Sequence, residues 1–274
     1  MSTSESAASP WMAAIKAGEP RIFDLGQPLH MRMPQWPAHP PYIFSLMRRH
    51  GDSVHQDGTT GANELLVLCG HTGTHIDGLG HVCQNGLAHG GLTAEEMQAG
   101  GTGMRSVGIE TVIPIVRRGC LLDIARLHRK EELEPEYEVT PDDLEAACRR
   151  QNVSVQEGDA VLLRTGWGRL WGNPSRYIRE GCGLPGPSVA AARWLADRHI
   201  ALTGSDTAVY ELFPPNSDGM PAHGILLVDN GIFIIENMLL EDLAAASAWT
   251  FVFVVLPLKI VGGTGSPIRP VAIV

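Results

Sequence analysis

The chain of 274 residues is long enough to bury a sizeable core, as one large domain or as two small ones. Its composition, 44% hydrophobic and 19% charged, is ordinary for a globular protein. A formal net charge of -9 argues against nucleic acid as a partner, because nucleic-acid-binding proteins normally carry a basic face. These values favour an acidic enzyme or binding protein that acts on a small molecule.

Neither end of the chain indicates a membrane partner or export. The first ten residues, MSTSESAASP, lack the basic and apolar regions of a signal peptide. The longest apolar stretch, residues 249–260, is too short to cross a bilayer and contains Pro257. The five cysteines are odd in number and widely spaced, without a CxxC pair. We therefore expect a cytoplasmic protein with reduced cysteines.

In chain order, residues 1–18 are predicted to form a flexible segment, followed by a single domain over residues 19–274. Short β-branched runs separated by glycine and proline predict strands. These runs cover residues 21–25, 64–69, 112–116, 121–124, 160–164, 200–203, 225–228, 232–235 and 250–256.

Helix signals are fewer. Thr140-Pro141-Asp142-Asp143 combines a cap, a first-turn proline and two acids, and predicts a helix that ends near Gln151. Apolar residues spaced for one buried face predict a second helix within residues 187–199, and a shorter one is expected at 240–247. Because strands outnumber helices and the two are interspersed, we predict an α/β fold that is mixed and β-rich.

Residues 71–81 read HTGTHIDGLGH, with three histidines and an aspartate in eleven residues. The glycines disfavour a helix, and in an extended segment His75 and Asp77 project to the same side. A turn at Gly73 would bring His71 to meet them. Two imidazoles and a carboxylate form a ligand set for Zn²⁺, Mn²⁺ or Fe²⁺ that leaves positions open for water. His81 would be a fourth ligand or a base.

Two other uses of this segment compete with a metal site. Histidines can cap turns or fill polar cavities, but three with an aspartate at this density favour a metal. Nucleophilic catalysis would require an activated serine or cysteine, and the chain has no G-x-S-x-G elbow. Cys69 and Cys83 flank the segment and are interpreted as core residues.

HTGTHIDGLGH resembles the HxGTHxDxxxH signature of the cyclase family of metal-dependent hydrolases. That family includes kynurenine formamidases, isatin hydrolases and trans-dienelactone hydrolases. Trp36-Pro37, residues 163–166 and residues 256–269 also look similar, so the resemblance extends from about residue 20 to the C-terminus. It implies the family's swivelling β/β/α-type fold.

The resemblance implies that His71, His75 and Asp77 are metal ligands and that His81 is the general acid/base. It further implies that His223 and Glu236 hold a second ion, bridged by Asp77. A carboxylate that ends a buried strand, as Glu236 is expected to do, requires a cation or protonation. The acid could instead belong to the start of the following helix. The expected cofactor is one or two ions of Mn²⁺ or Zn²⁺.

The substrate is less constrained. Trp36, Phe44 and Phe213 are candidates for an apolar substrate wall, with core packing as the alternative. Residues 78–80 and Val82 depart from the kynurenine formamidase pattern, as does Ala38-His39 after Trp36-Pro37. These departures do not affect the expected metal chemistry, but they leave the identity of the substrate open.

The expected activity is hydrolysis of an amide, cyclic amide or lactone bond in a small, aromatic molecule. The metal acidifies water and polarises the carbonyl, while His81 takes the water proton and passes it to the leaving nitrogen or oxygen. Two alternatives stay open: a cyclase or dehydratase of secondary metabolism, and a non-catalytic metal- or ligand-binding protein. His81 favours an enzyme, since mere binding does not need it. The resemblance also implies a homodimer or homotetramer.

Overall fold

The computed structural model describes residues 18, 20–179, 181–215, 217 and 219–274. The predicted flexible segment falls almost entirely outside these residues and stays a prediction, as does the single domain over 19–274. In the described chain the strands are β1 (Ile22–Asp24), β2 (Ile43–Arg48), β3 (Asn63–Val67), β4 (His75–Asp77), β5 (Ile115–Asp123), β6 (Glu138–Val139), β7 (Ala160–Arg164), β8 (Gly186–Pro187), β9 (Leu202–Ser205), β10 (Phe233–Glu236), β11 (Thr250–Val255), β12 (Gly265–Pro267) and β13 (Val271–Ile273).

The helices are short. The α-helices are Ala94–Met97, Ile124–Leu127, Pro141–Gln151, Pro174–Ile178, Val189–Ala196, Pro221–His223 and Glu241–Ala245. Single 3-10 turns occupy His89–Gly91, Gly100–Thr102, Ile109–Thr111 and Trp167–Leu170, and a π-helical turn occupies Gly224–Asp229. None of the described helices has the length and apolar character needed to cross a membrane.

A nine-stranded mixed sheet organises these elements, in the order β1-β13-β11-β5-β7-β9-β10-β4-β12. The central strands β5, β7, β9 and β10 run parallel, and the outer pairings are antiparallel. Strands β2 and β3 form a separate antiparallel ribbon, and β6 and β8 a short parallel pair. The predicted mixed, β-rich α/β fold is therefore confirmed.

Alternating side chains of the central strands belong to two different hydrophobic clusters. Leu122 and Leu163 join a cluster with the helix residues Leu144, Leu195 and Leu226. Their chain neighbours, Leu121 and Leu162, belong to the second cluster together with Ile76 and Ile235. Because successive side chains of a strand point to opposite faces, the two clusters lie on opposite sides of the sheet.

Three predicted elements differ from the structure. The runs 112–116 and 121–124 belong to one strand, β5, which passes through Gly119. A Cβ at Gly119 would lie 2.1 Å from Cε2 of Phe251, so glycine is needed there for close strand packing. The predicted strand at 225–228 is wrong: it lies in the π-helical turn Gly224–Asp229. A short apolar run fits a fully buried helix as well as a strand.

The helix predictions hold, with shorter limits in two cases. The first helix runs from Pro141 to Gln151, and Thr140 and Asp143 form a reciprocal capping box at its start. The second runs over Val189–Ala196, capped by Ser188, and the third over Glu241–Ala245.

Candidate metal centre

The site is built on β4, which lies between β10 and β12. Residues His75 and Glu236 are direct cross-strand partners, as are Asp77 and Ile234. Between the two ligand candidates of β4, Ile76 is completely buried in the hydrophobic cluster on the other face. The alternation of the strand therefore points His75 and Asp77 to one side, as the sequence predicts.

A tight loop ahead of β4 carries His71. Gly73 has a φ of +61°, a conformation that favours glycine, and it turns the chain back toward β4. Its carbonyl oxygen accepts hydrogen bonds from Nδ1 of His75 at 2.9 Å and from Nδ2 of Asn237 at 3.0 Å. The Thr74 hydroxyl donates to the Asn237 carbonyl oxygen at 2.6 Å. The loop is thus fixed to the end of β10.

The carboxylates of Asp77 and Glu236 lie between two imidazoles. Nε2 of His75 is 3.4 Å from Oδ1 of Asp77 and 3.4 Å from Oε2 of Glu236. Nε2 of His223 is likewise 3.4 Å from Oδ2 of Asp77 and 3.4 Å from Oε1 of Glu236. All four residues are buried. The structure therefore brings His223 and Glu236, predicted through the family resemblance, to the motif residues.

These distances fit ligands of a shared cation better than direct hydrogen bonds. Two ligand atoms about 2.05 Å from one tetrahedral ion lie about 3.3 Å apart, whereas good N–H···O bonds are about 2.9 Å long. Among the described residues, Oδ2 of Asp77 is buried without a hydrogen-bond partner. A bare carboxylate oxygen among imidazole nitrogens is costly unless a cation lies beside it. The residues present therefore fit a divalent metal.

The ligand atoms fall into two groups that share Asp77. His75, Asp77 and Glu236 place one ligand atom each within 4.8 Å of one another, and so do His71, Asp77 and His81. Both groups share Asp77, as the resemblance implies, but their membership differs from the prediction, which places His75 with His71 and Glu236 with His223. The number of ions stays a prediction. The second group also leaves open whether His81 is a ligand or a base.

His71 and His81 form the outer part of the site. Nδ1 of His71 lies 2.7 Å from Oδ1 of Asp77, and its Nε2 lies 2.9 Å from the Thr264 hydroxyl. The rings of His71 and His81 are 4.1 Å apart, centroid to centroid. Burial lowers the pKa of His81 to about 3, although the Asp77 carboxylate opposes that shift. His81 is therefore a neutral imidazole near pH 7.

His223 is oriented by Glu211. One carboxylate oxygen of Glu211 accepts from the backbone N–H of His223 at 2.9 Å, and the other lies 2.9 Å from its Nδ1. Burial opposes the charged imidazole, but the carboxylates of Asp77, Glu211 and Glu236 raise the pKa of His223 well above its ordinary value. A carboxylate on Nδ1 leaves Nε2 to face the metal, as in carboxylate–histidine–metal triads.

Sequence reasoning missed two residues that position the ligands. Thr264 falls in a stretch noted for its family resemblance, yet its contact with His71 was not predicted. Glu211 carries no local signal, because it lies 12 residues before His223 in a loop.

The predicted apolar substrate residues separate into two places. Trp36 lines a cavity together with His71 and His75, and its ring meets that of Phe213 edge to face at 5.4 Å. Phe44 instead lies on β2, is 43% exposed, and is not among the described residues that line this cavity. His39, which sequence analysis noted only as a departure from the formamidase pattern, lines the cavity beside Trp36.

The fold and the buried His/Asp/Glu cluster define a metal-binding α/β protein, and comparison with known proteins identifies its family. A family model described as "Putative cyclase" matches residues 23–211, and the chain belongs to this cyclase family. A crystal structure described as a novel cyclase has 25% sequence identity and a TM-score of 0.84, covering 96% of this chain and 93% of that one.

Two curated relatives match the chain along nearly all of its length. Isatin hydrolase of Roseibium aggregatum is 26% identical, with 99% of this chain and 98% of the relative covered. Kynurenine formamidase of Sphingopyxis alaskensis is 25% identical, with 92% and 97% covered. Isatin hydrolase A of Ralstonia solanacearum has the same fold at 23% identity, with a TM-score of 0.73 over 100% of this chain and 99% of that one.

These findings confirm the predicted family and, with it, the class of metal-dependent hydrolase. The groups of ligand atoms in the structure agree with a metal requirement. The roles of the individual residues, the identity of the metal and the number of subunits stay predictions.

Proposed function

We propose that the protein hydrolyses an amide or cyclic amide bond of a small aromatic molecule, with one or two divalent ions held at the centre described above. The observation that carries this proposal is the buried Asp77 carboxylate, shared by two groups of ligand atoms and left with one unpartnered oxygen. The names of the curated relatives support an amide as the bond that is cleaved.

His75, Asp77 and Glu236 would hold one ion. His223, which lies 3.4 Å from both carboxylates, would be a further ligand. His71 and Asp77 would hold a second ion or, with a single ion, complete its ligand set. Such an ion supplies a Lewis acid that polarises the substrate carbonyl and lowers the pKa of water. Mn²⁺ and Zn²⁺ both suit imidazole and carboxylate ligands.

His81 would be the proton carrier. The support for this role is its position: its ring lies 4.1 Å from that of the ligand candidate His71, and its ring nitrogen belongs to a group of ligand atoms that includes Asp77. The imidazole accepts a proton from water as the water oxygen bonds to the carbonyl carbon. It then returns that proton to the leaving nitrogen as the C–N bond breaks, which yields a carboxylic acid and an amine.

The substrate's aromatic part would lie against Trp36 and Phe213, whose rings are packed edge to face. Of the two, Trp36 also lines the cavity that contains His71 and His75. Aromatic walls with few polar groups are typical of small-molecule sites. Phe44, the third candidate, is 43% exposed on β2 and is not among the described residues that line this cavity, so its role at the wall stays a prediction.

We further propose that the protein is a cytoplasmic homodimer or homotetramer. The ribbon of β2 and β3 supports an oligomer, because it exposes apolar side chains along both strands. These are Ile43, Phe44, Leu46, Met47, Leu65, Leu66 and Val67, each at least 42% exposed. Contiguous apolar surface of this kind marks protein interfaces. The five free cysteines agree with a reducing compartment.

Metal analysis of the purified protein, paired with a hydrolysis panel, tests the proposal. The panel contains N-formylkynurenine, isatin, a dienelactone and a simple N-aryl amide. We expect one or two ions per chain, loss of activity with a chelator, and recovery with Mn²⁺ or Zn²⁺. In His71→Ala we expect loss of both metal and activity. Full activity of a metal-free sample would refute the proposal. Turnover of the lactone alone would show that the protein cleaves an ester bond and not an amide bond.

A further inference from the structure

A four-residue turn carries a histidine to the mouth of the metal centre. In residues 36–39, called the cap turn below, the backbone N–H of His39 donates to the Trp36 carbonyl oxygen at 3.0 Å. Pro37 at the second position presets the backbone for such a turn. Trp36 and His39 therefore leave the same turn, and both line the cavity that contains His71 and His75.

The cap turn is anchored at both ends. Met33 before it and Tyr42 after it are buried, at 3% and 8% exposure, and belong to the same hydrophobic cluster. The side-chain oxygen of Gln35 accepts a hydrogen bond from the Tyr42 backbone N–H at 2.8 Å. These contacts hold the backbone of the cap turn in place on both sides of Trp36 and His39.

The imidazole of His39 has unused hydrogen-bonding capacity. Its ring is half-buried and lies 5.6 Å from the ring of His71. It has no hydrogen-bond partner within the described part of the chain. A neutral imidazole offers one donor and one acceptor. The two groups of ligand atoms at the metal centre do not include His39.

A second cavity adjoins the first and shares Trp36 and Ile178 with it. It has a volume of about 200 Å³, and its walls include Phe213, Leu184 and Pro214. A protein cavity of about 150 Å³ is large enough for benzene. The first cavity is much smaller, about 20 Å³. An aromatic ring would therefore lie against Trp36 in the second cavity, and only a small group attached to it would enter the first, toward His71 and His75.

We infer that His39 is a specificity-determining residue, which binds a polar substituent that the aromatic substrate carries next to its scissile amide. This inference rests on the proposed function. The His39 and His71 rings lie 5.6 Å apart, so a group bound by His39 would lie close to a scissile bond held at His71. A substituent on the neighbouring ring carbon satisfies that condition, and an acyl oxygen there would accept from the imidazole N–H.

Two substrates that differ only in this substituent test the inference: formanilide and formanilide with an ortho-acyl group. In His39→Ala we expect KM for the acyl substrate to rise about three- to tenfold, the range of one hydrogen bond. KM for plain formanilide and both kcat values should stay within about twofold. His39→Gln, which restores a donor, should recover most of the lost affinity. His55→Ala, an exposed histidine in the loop between β2 and β3, is the matched control.

The metal content of each variant completes the experiment. Unchanged metal with a selective rise in KM supports the inference. Loss of metal in His39→Ala overturns it, since His39 would then be a ligand. An equal rise in KM for both substrates also overturns it, because that result indicates a displaced cap turn. Hydrolysis of neither anilide by the wild-type protein contradicts the inference, and the proposed function fails with it only if the hydrolysis panel is negative as well. Hydrolysis of both anilides without a selective effect contradicts only the inference.

Discussion

The metal centre and the ribbon of β2 and β3 both depart from the usual relation between polarity and burial. The centre buries charged side chains, and the ribbon exposes apolar ones. At the centre, Asp77 and Glu236 are carboxylates with 1% and 7% exposure. On the ribbon, Phe44 and Leu66 are cross-strand partners and expose 43% and 48% of their surface. Buried charge is stable only with a counter-charge, and exposed apolar surface only with a cover.

Each departure therefore indicates a partner of a different chemistry. The carboxylates and imidazoles of the centre fit a cation, and the apolar ribbon fits another protein surface. A two-stranded ribbon by itself is marginally stable in water, so contact with a second chain would also stabilise its strands. The comparison predicts that changes at the centre act on metal and turnover, whereas changes on the ribbon act on assembly.

The largest effect is expected from Asp77→Asn, which keeps the shape of the side chain and removes its charge. Because Asp77 belongs to both groups of ligand atoms, we expect the protein to lose its metal. Turnover should fall at least about a thousandfold, since Lewis-acid stabilisation contributes several kcal/mol. Metal analysis and single-substrate kinetics measure the two losses. The exposed Asp229→Asn is the control, and an Asp77→Asn protein with full metal and activity would contradict the shared-ligand assignment.

A smaller loss is expected from His81→Ala. If His81 moves the proton, kcat should fall about 10²- to 10⁴-fold while the metal content is unchanged. Loss of metal is the competing result, because His81 lies with His71 and Asp77 in one group of ligand atoms. Loss of metal in this variant would make His81 a ligand and would require another proton carrier.

Glu211→Gln should weaken metal binding through His223 alone, because Glu211 contacts that ligand candidate. The Glu211 carboxylate lies against both the backbone N–H and Nδ1 of His223, and the amide can replace only part of that arrangement. Loss of such an outer contact lowers metal affinity about 10- to 100-fold. Metal titration followed by tryptophan fluorescence or calorimetry measures the shift, with the exposed Glu95→Gln as the control. An unchanged affinity would show that His223 does not bind the ion.

The part of the centre that the sequence predicts is the part encoded locally. The two-residue spacing of His75 and Asp77 and the glycine turn after His71 specify positions within seven residues of chain. His223 and Glu236 came from the family resemblance, since no periodicity relates them to β4. Residues such as Glu211 and Thr264 contact their histidines only because the sheet brings distant segments together.

The same limit explains the errors in the fold. The run at 225–228 is apolar throughout because residues 225–227 are buried and Val228 is partly buried, and such a run has no period that separates strand from helix. The apolar residues of β2 raised the opposite problem. Phe44 reads as a core or substrate residue in the sequence, but the structure exposes it on the ribbon, and its role at the substrate wall stays a prediction.

The smallest effect on turnover is expected from Leu66→Asp on the ribbon. Leu66 is 48% exposed, so an aspartate there costs little within one chain, but it would place a charge inside an interface formed by the ribbon. We expect the oligomer to dissociate into smaller species by light scattering, while the metal content is kept and kcat stays within about twofold. Asn63→Asp adds the same charge on the same strand, at an exposed residue opposite Arg48, and should leave the assembly intact. If Leu66→Asp leaves the mass unchanged, the ribbon is not the contact between subunits. If it also removes the metal, the ribbon and the centre are coupled, and the division between assembly and catalysis drawn from their opposite burial is wrong.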